Sequence, residues 1–166
     1  FQAVSDICVD HELPVMWTTP TGFKVKQGYE TWRSQSIRTI IGDVIRQHKI
    51  RVGTGKLSKR KNRNGVAPNF IHSIDASIGQ STILACKEQG ISSISAIHDS
   101  FWVCASDMPV LQESLLSSVV EIFSVNLMEK FAAGLTYLPA TVKLPEPPRR
   151  GDLDLRSISE SKYFFS

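Results

Sequence analysis

The sequence predicts an α+β fold, and three observations carry that prediction. Residues 91–105 place two short apolar runs around a polar tip, the pattern of a β-hairpin. Residues 108–133 repeat apolar side chains at three- and four-residue spacing, the pattern of an amphipathic helix. Of the 166 residues, 42% are hydrophobic and 21% charged, which suits a packed core and excludes a disordered chain. The length fits a single domain or a part of a larger one.

Taken in order, residues 13–29 are rich in β-branched and aromatic residues interrupted by Pro20-Thr21-Gly22, which predicts two short strands joined by a turn. Residues 37–52 are ambiguous. Ile37, Ile40, Ile41, Val44, Ile45 and His48 fit a helical face, while the β-branched content favours strands. Residues 53–65, with three glycines, two asparagines and five charges, read as a loop. A helix is expected from about Ser73, as N-cap, to Gln89, with Gly90 as its stop. Ile74, Ile78 and Ala85 would share one of its faces.

In the hairpin, Ile91, Ile94, Ala96 and Ile97 precede His98-Asp99-Ser100, and Phe101, Trp102 and Val103 follow. The next helix, from about Met108 to Ala133, has Pro109 in its first turn. Its apolar stripe is Val110, Leu111, Leu115, Val119, Ile122, Phe123, Leu127 and Phe131. Residues 136–150 carry four prolines and read as an extended linker. Asp152 is placed to cap a last short helix through about Glu160, before the terminal Tyr163-Phe164-Phe165-Ser166.

The net charge of +3 is unevenly placed. No acidic residue lies between Asp43 and Asp75, and that interval holds Arg46, Lys49, Arg51, Lys56, Lys59, Arg60, Lys61 and Arg63. These are 8 of the 19 basic residues, so the rest of the chain carries 11 basic against 16 acidic, or −5. A concentrated positive segment attracts a polyanion; the commoner role of such a run is a solvated face. Cys8, Cys86 and Cys104 are odd in number and unpaired in spacing, which argues against a disulfide scaffold and suits a reducing compartment. No stretch approaches a membrane span, and neither a membrane partner nor a signal peptide is expected. The start at Phe1 suggests a segment of something longer.

Asp99 is the most informative single residue. A carboxylate between two apolar strands is unfavourable unless something pairs with it, and a hairpin tip is a firm mount for a metal ligand. Asp is also a favoured residue in solvated turns, and on the local pattern alone that is the commoner role.

Four blocks widen the view. Ile97-His98-Asp99-Ser100-Phe101 resembles motif C of the single-subunit DNA-directed RNA polymerases of bacteriophage and mitochondrial type. The stretch from Gly65 to Asp75, containing Asn69-Phe70-Ile71-His72, resembles the block just upstream in that family. Trp17-Thr18-Thr19-Pro20-Thr21-Gly22-Phe23 resembles the segment after its motif B, and Tyr163 to Ser166 resembles its aromatic C-terminus. The blocks occur in family order across nearly the whole chain.

The resemblance implies a right-hand polymerase palm fragment with the motif C hairpin flanked by helices, and strands in the 37–52 stretch. Residues 1–166 would be a C-terminal part of the palm and fingers region, with a basic loop at 46–65, the motif C hairpin at 91–105 and an extension and foot at 136–166. It implies template-directed nucleotidyl transfer with two Mg²⁺ ions and release of pyrophosphate. Asp99 would be a metal ligand, and His98 beside it a positioning residue because Mg²⁺ prefers oxygen. His72 would stand near the growing end of the hybrid. Phe164, Phe165 and the Ser166 carboxylate would form a packed C-terminal foot. The family often has His where this sequence has Ile78.

The implied partners are a DNA template, an RNA product, ribonucleoside triphosphates and the remainder of the polymerase chain. Lys56, Lys59, Arg60, Lys61 and Arg63 would face phosphates. The partner Asp of motif A and the Lys and Tyr of motif B are not in the sequence, so the fragment alone is expected to be inactive. The cytoplasm of a phage-infected bacterium is the expected location, with the mitochondrial matrix as the alternative. Two other functions stay open: a family A DNA polymerase fragment, in which Glu typically stands where Ser100 is, and a non-catalytic nucleic-acid-binding module using the basic stripe.

Overall fold

The computed structural model describes residues 1–161. The expected foot of Phe164, Phe165 and Ser166 lies outside the described residues. The elements are α1 (Gln2–Asp10), β1 (Val15–Thr18), β2 (Lys24–Gln27), β3 (Glu30–Ile41), β4 (Val44–Leu57), α2 (Lys59–Glu88), β5 (Ile94–Ile97), β6 (Ser100–Val103), α3 (Met108–Ser124) and α4 (Leu127–Ala133). A 3₁₀ turn at Ala105–Asp107 precedes α3, and another spans Leu155–Glu160. The expected mixture of helices and small antiparallel hairpins is present. Two compact units result, one of Phe1–Val15 with Lys26–Ala67, the other of Met16–Val25 with Pro68–Ser166.

The first unit holds α1, the β3–β4 hairpin and the start of α2. The 37–52 stretch is strand on both sides of a two-residue turn, with Ile41 paired to Val44 and Glu30 to Leu57. Gly42, at φ 62°, takes the left-handed turn position that a side chain disfavours. Gly42-Asp43 is the local signal that separates strand from helix here. Periodicity could not do so because both faces of the hairpin are largely exposed.

Residues 53–65 are not a loop. β4 continues through Leu57 and α2 begins at Lys59. Composition misleads because tertiary partners hold the start of this helix. Buried Asn62 accepts from the Tyr29 N–H at 2.9 Å and donates to the carbonyls of Tyr29 and Ser58, each at 2.9 Å. The Gln27 amide donates to the Asn62 carbonyl at 2.9 Å. The first turns of α2 are basic, an unfavourable charge for a helix N-terminus. Two carboxylates one turn apart on α1 oppose it: Asp10 meets Lys59 Nζ at 2.8 Å, and Asp6 meets Arg63 at 3.4 Å.

In the second unit, Gly22 (φ 86°) closes the turn between β1 and β2 through its N–H to the Thr19 carbonyl at 2.9 Å. Ser73 is not an N-cap but lies inside α2, whose buried positions include Phe70, Ser73, Ile74, Ser77, Thr82 and Cys86. The polar members of that face return their hydroxyls to the helix backbone, Ser77 to Ser73 and Thr82 to Ile78, each at 2.8 Å. They are therefore buried without an orphaned donor. Gly90, at φ 89°, ends the helix as expected. Its N–H meets the Lys87 carbonyl at 3.1 Å, and the Ile91 N–H meets that of Cys86 at 3.0 Å, the paired bonds of a Schellman cap.

The long helix expected over 108–133 is broken. Asn126 accepts from the N–H groups of Met128 and Glu129 at 3.2 and 3.3 Å, capping α4, which turns 53° from the preceding helix. Phe123 is exposed rather than part of the stripe formed by Leu111, Leu115, Val119 and Ile122. It lies at the edge of that stripe in the last turn before the break. Asp154, not Asp152, caps the final 3₁₀ turn by accepting from the Arg156 N–H at 3.0 Å. Among the described residues no single helix is long and apolar enough to cross a membrane.

The second unit has an aromatic cluster in which Phe70 and Phe131 meet edge-on at 5.1 Å between centroids, with Trp17 at 6.0 Å from Phe70. Its other focus is Cys86, Ile91 and Leu111, against which Ile94, Phe101, Val103 and Val110 pack. Because side chains alternate along a strand, Ile94, Phe101 and Val103 point into that cluster. Trp102 and Ile97 then point outward and are exposed.

Candidate functional site

β5 and β6 pair antiparallel from Ile94–Val103 to Ile97–Ser100, leaving His98 and Asp99 as a two-residue turn. His98 has φ 56°, a conformation that side chains disfavour. The core holds the inner face of the strands, so the turn is carried outward on a supported ribbon. Asp99 is exposed, and the Ser100 hydroxyl lies 3.5 Å from its Oδ1. No ion pair to Asp99 occurs among the described residues.

His72 lies on an exposed part of α2 in the same unit. No hydrogen bond joins His72, His98 and Asp99 among the described residues. Nor do three or more His, Cys, Asp or Glu side chains gather there at metal-binding distance. At this turn the described residues therefore present a single open carboxylate, Asp99, and no closed metal cage. That donor fits Mg²⁺, which prefers oxygen and takes one or two carboxylates along with waters and substrate phosphates.

The basic residues divide into two sets. Lys59 and Arg63 face acids of α1. The hydrogen bond to Asp10 holds the Lys59 ammonium above its ordinary pKa of 10.5. Lys61, by contrast, lines a groove of about 590 Å³ with Trp32, Arg33, Lys49 and Arg51. No acidic residue is among the described residues lining it. A second cavity, of about 390 Å³, is lined by Arg60 and Lys61 beside Tyr29. Lys56 is exposed on β4. Sequence reasoning missed Arg33 and Trp32 because neither lies in the acid-free interval. Only the pairing of β3 with β4 brings them beside Lys49 and Arg51, for example through Ser34 opposite Arg51. Clustered cations next to an aromatic ring suit a phosphate backbone and a base face.

Residues 4–138 match the family model described as DNA-dependent RNA polymerase. DNA-directed RNA polymerase 1A of Nicotiana tabacum is 35% identical over 153 residues, covering 92% of this chain and 96% of that protein. The mitochondrial DNA-directed RNA polymerase 1 of Nicotiana sylvestris is also 35% identical, but the match covers only 15% of its length. For the chloroplastic/mitochondrial DNA-directed RNA polymerase 2 of Arabidopsis thaliana, 35% identity extends over all of this chain and 16% of that protein.

Proposed function

The chain belongs to the single-subunit, phage-type DNA-dependent RNA polymerase family, and on that premise we propose that it is the motif C portion of a template-directed nucleotidyltransferase. The observation that carries this reading is Asp99, an open carboxylate on a strained two-residue turn supported by a packed hairpin. Asp99 would hold Mg²⁺ together with a carboxylate from outside these residues. When bound, the metal lowers the barrier to phosphoryl transfer by stabilising charge on the reacting oxygens.

The chain's own residues supply the remainder of the reading. His98, next to Asp99 in the turn, would act as a positioning residue for it and not as a metal ligand. His72 is available to donate a hydrogen bond to the growing end of the product. Arg33, Lys49, Arg51 and Lys61 hold nucleic-acid phosphates, and Trp32 offers a ring face. Arg60, which lines the neighbouring cavity with Lys61, extends that surface. Lys56 is a further exposed cation on β4 for phosphates, and Lys59 and Arg63 contribute less because their charges are already opposed by Asp10 and Asp6. Partners are a DNA template, an RNA product, ribonucleoside triphosphates and the rest of the polymerase. Residues 1–166 by themselves, without that second carboxylate, would not polymerise.

Family membership sets aside the family A DNA polymerase alternative. Several relatives are plant polymerases named mitochondrial or chloroplastic, which favours the mitochondrial matrix over a phage-infected bacterium. The deciding experiment is Asp99→Asn in the full polymerase, assayed for RNA synthesis against Mg²⁺ concentration and for DNA binding. Turnover should fall by orders of magnitude while DNA binding stays. Retained turnover would exclude the reading and leave the nucleic-acid-binding module.

A further inference from the structure

Within the β5–β6 hairpin the inward side chains are Ile94 and Val103, which pair with each other, and Ala96 and Phe101, which pair nearer the turn. Ile94, Phe101 and Val103 all reach the Cys86–Ile91–Leu111 cluster, but Ala96 is short and exposed. Phe101 is thus the last inward side chain with any reach before Ser100 and Asp99. The far end of its ring points at α2. A Cβ placed on Gly79 would lie 3.8 Å from Phe101 Cζ. A Cβ there would be in ordinary van der Waals contact with the ring, so the ring tip lies directly over this turn of α2, and any side chain longer than alanine at 79 would meet it. The same helix carries His72 two turns earlier.

We propose that Phe101 is a positioning residue, and that its seat against Gly79 sets the distance and tilt of the Asp99 turn relative to the His72 face of α2. The proposal rests on the reading of Asp99 as the metal-binding carboxylate. The mechanical reason is leverage. The hairpin is two strands wide and four residues long, so a change in its last anchor is carried directly into the turn. A displacement of about 1 Å at reacting groups lowers rates as much as ~100-fold.

The test uses the full polymerase with three variants. Phe101→Ala removes the anchor. Gly79→Leu leaves Phe101 in place, favours the helix, and puts a branched side chain where the ring sits. The double variant lets the introduced leucine fill the space left by the ring. We expect each single variant to lower kcat about 10- to 100-fold, with little change in the nucleotide KM, and to raise the Mg²⁺ concentration for half-maximal activity. The double variant should recover much of both. The Gly79→Leu loss in kcat should exceed what its change in melting temperature accounts for, measured at a temperature where the variant is fully folded, which separates positioning from unfolding. Unchanged kcat in Gly79→Leu, or losses that only track melting temperature, would overturn the proposal. Asp99→Asn run in parallel distinguishes the two failures. If that variant is inactive while the Phe101 and Gly79 variants behave normally, only the positioning role falls; if it is active, the metal reading falls as well.

Discussion

Trp17 donates its indole N–H to the Ser73 hydroxyl at 2.9 Å, and that hydroxyl donates in turn to the Phe70 carbonyl at 2.6 Å. Both residues are buried, so the bond satisfies the one polar atom of an otherwise apolar ring. It also ties the Trp17 block to the Asn69–His72 block within one unit, two segments that are far apart in sequence. Replacing Ser73 by Ala orphans the indole N–H and should destabilise the unit by about 1–3 kcal/mol. Urea unfolding of the polymerase followed by tryptophan fluorescence measures it. Thr at this position keeps the hydroxyl and should recover part of the loss.

Asn62 and Tyr29 form the corresponding joint in the first unit. Three side-chain hydrogen bonds at 2.9 Å converge on one buried amide. Asn62→Ala should cost about 2–4 kcal/mol, because it leaves buried backbone groups without partners. Asn62→Asp keeps the acceptor and loses the donors, so its cost should also be large. Proteolysis between β4 and α2 provides the readout, with faster cleavage expected in both variants.

The strained turn at His98 makes a backbone prediction separate from any side-chain role. His98→Gly or His98→Asn relieves or tolerates φ 56°, whereas His98→Val adds about 1–3 kcal/mol of strain. Melting temperature should therefore rank the glycine and asparagine variants above valine. A ranking by side-chain size alone would count against this account.

The two sets of basic residues should separate by salt dependence. Removing charge from Arg33, Lys49, Arg51 and Lys61 should flatten the log–log salt dependence of duplex DNA binding by about 0.9 for each phosphate that is no longer neutralised. Neutralising Lys59 and Arg63 should flatten it less, since Asp10 and Asp6 already oppose them. Equal effects of the two sets would show that the ion pairs open on binding.

The Lys59–Asp10 pair carries a pH signature. The folded-state pKa of Lys59 is raised, so the pair contributes its full stability below the ordinary lysine value. That contribution is lost as pH rises through the raised value. Both side chains are solvent-exposed, and salt screens such pairs. The stability difference between the wild type and Lys59→Gln should thus be small, present at neutral pH, reduced in high salt, and absent in strong alkali. Paired denaturation curves at neutral and alkaline pH check the sign.

Elements whose signals are local were legible in the residues alone. The β1–β2 turn, the His98–Asp99 hairpin tip, the Gly90 stop and the start of α3 at Met108 and Pro109 all rest on short-range chemistry, and the family resemblance rested on contiguous blocks. Other features depend on long-range packing. The basic run became a strand followed by a helix because Asn62, Asp6 and Asp10 satisfy groups that composition alone would leave to solvent. The buried face of α2 escaped a hydrophobic reading because Ser73, Ser77 and Thr82 lie on it with their hydroxyls bonded internally. Arg33 joined the cationic groove only through strand pairing, and Phe101 met Gly79 only through packing. Asp99 could be singled out from sequence, but the direction it faces depends on which side chains of its hairpin are buried, and that is settled by residues distant along the chain.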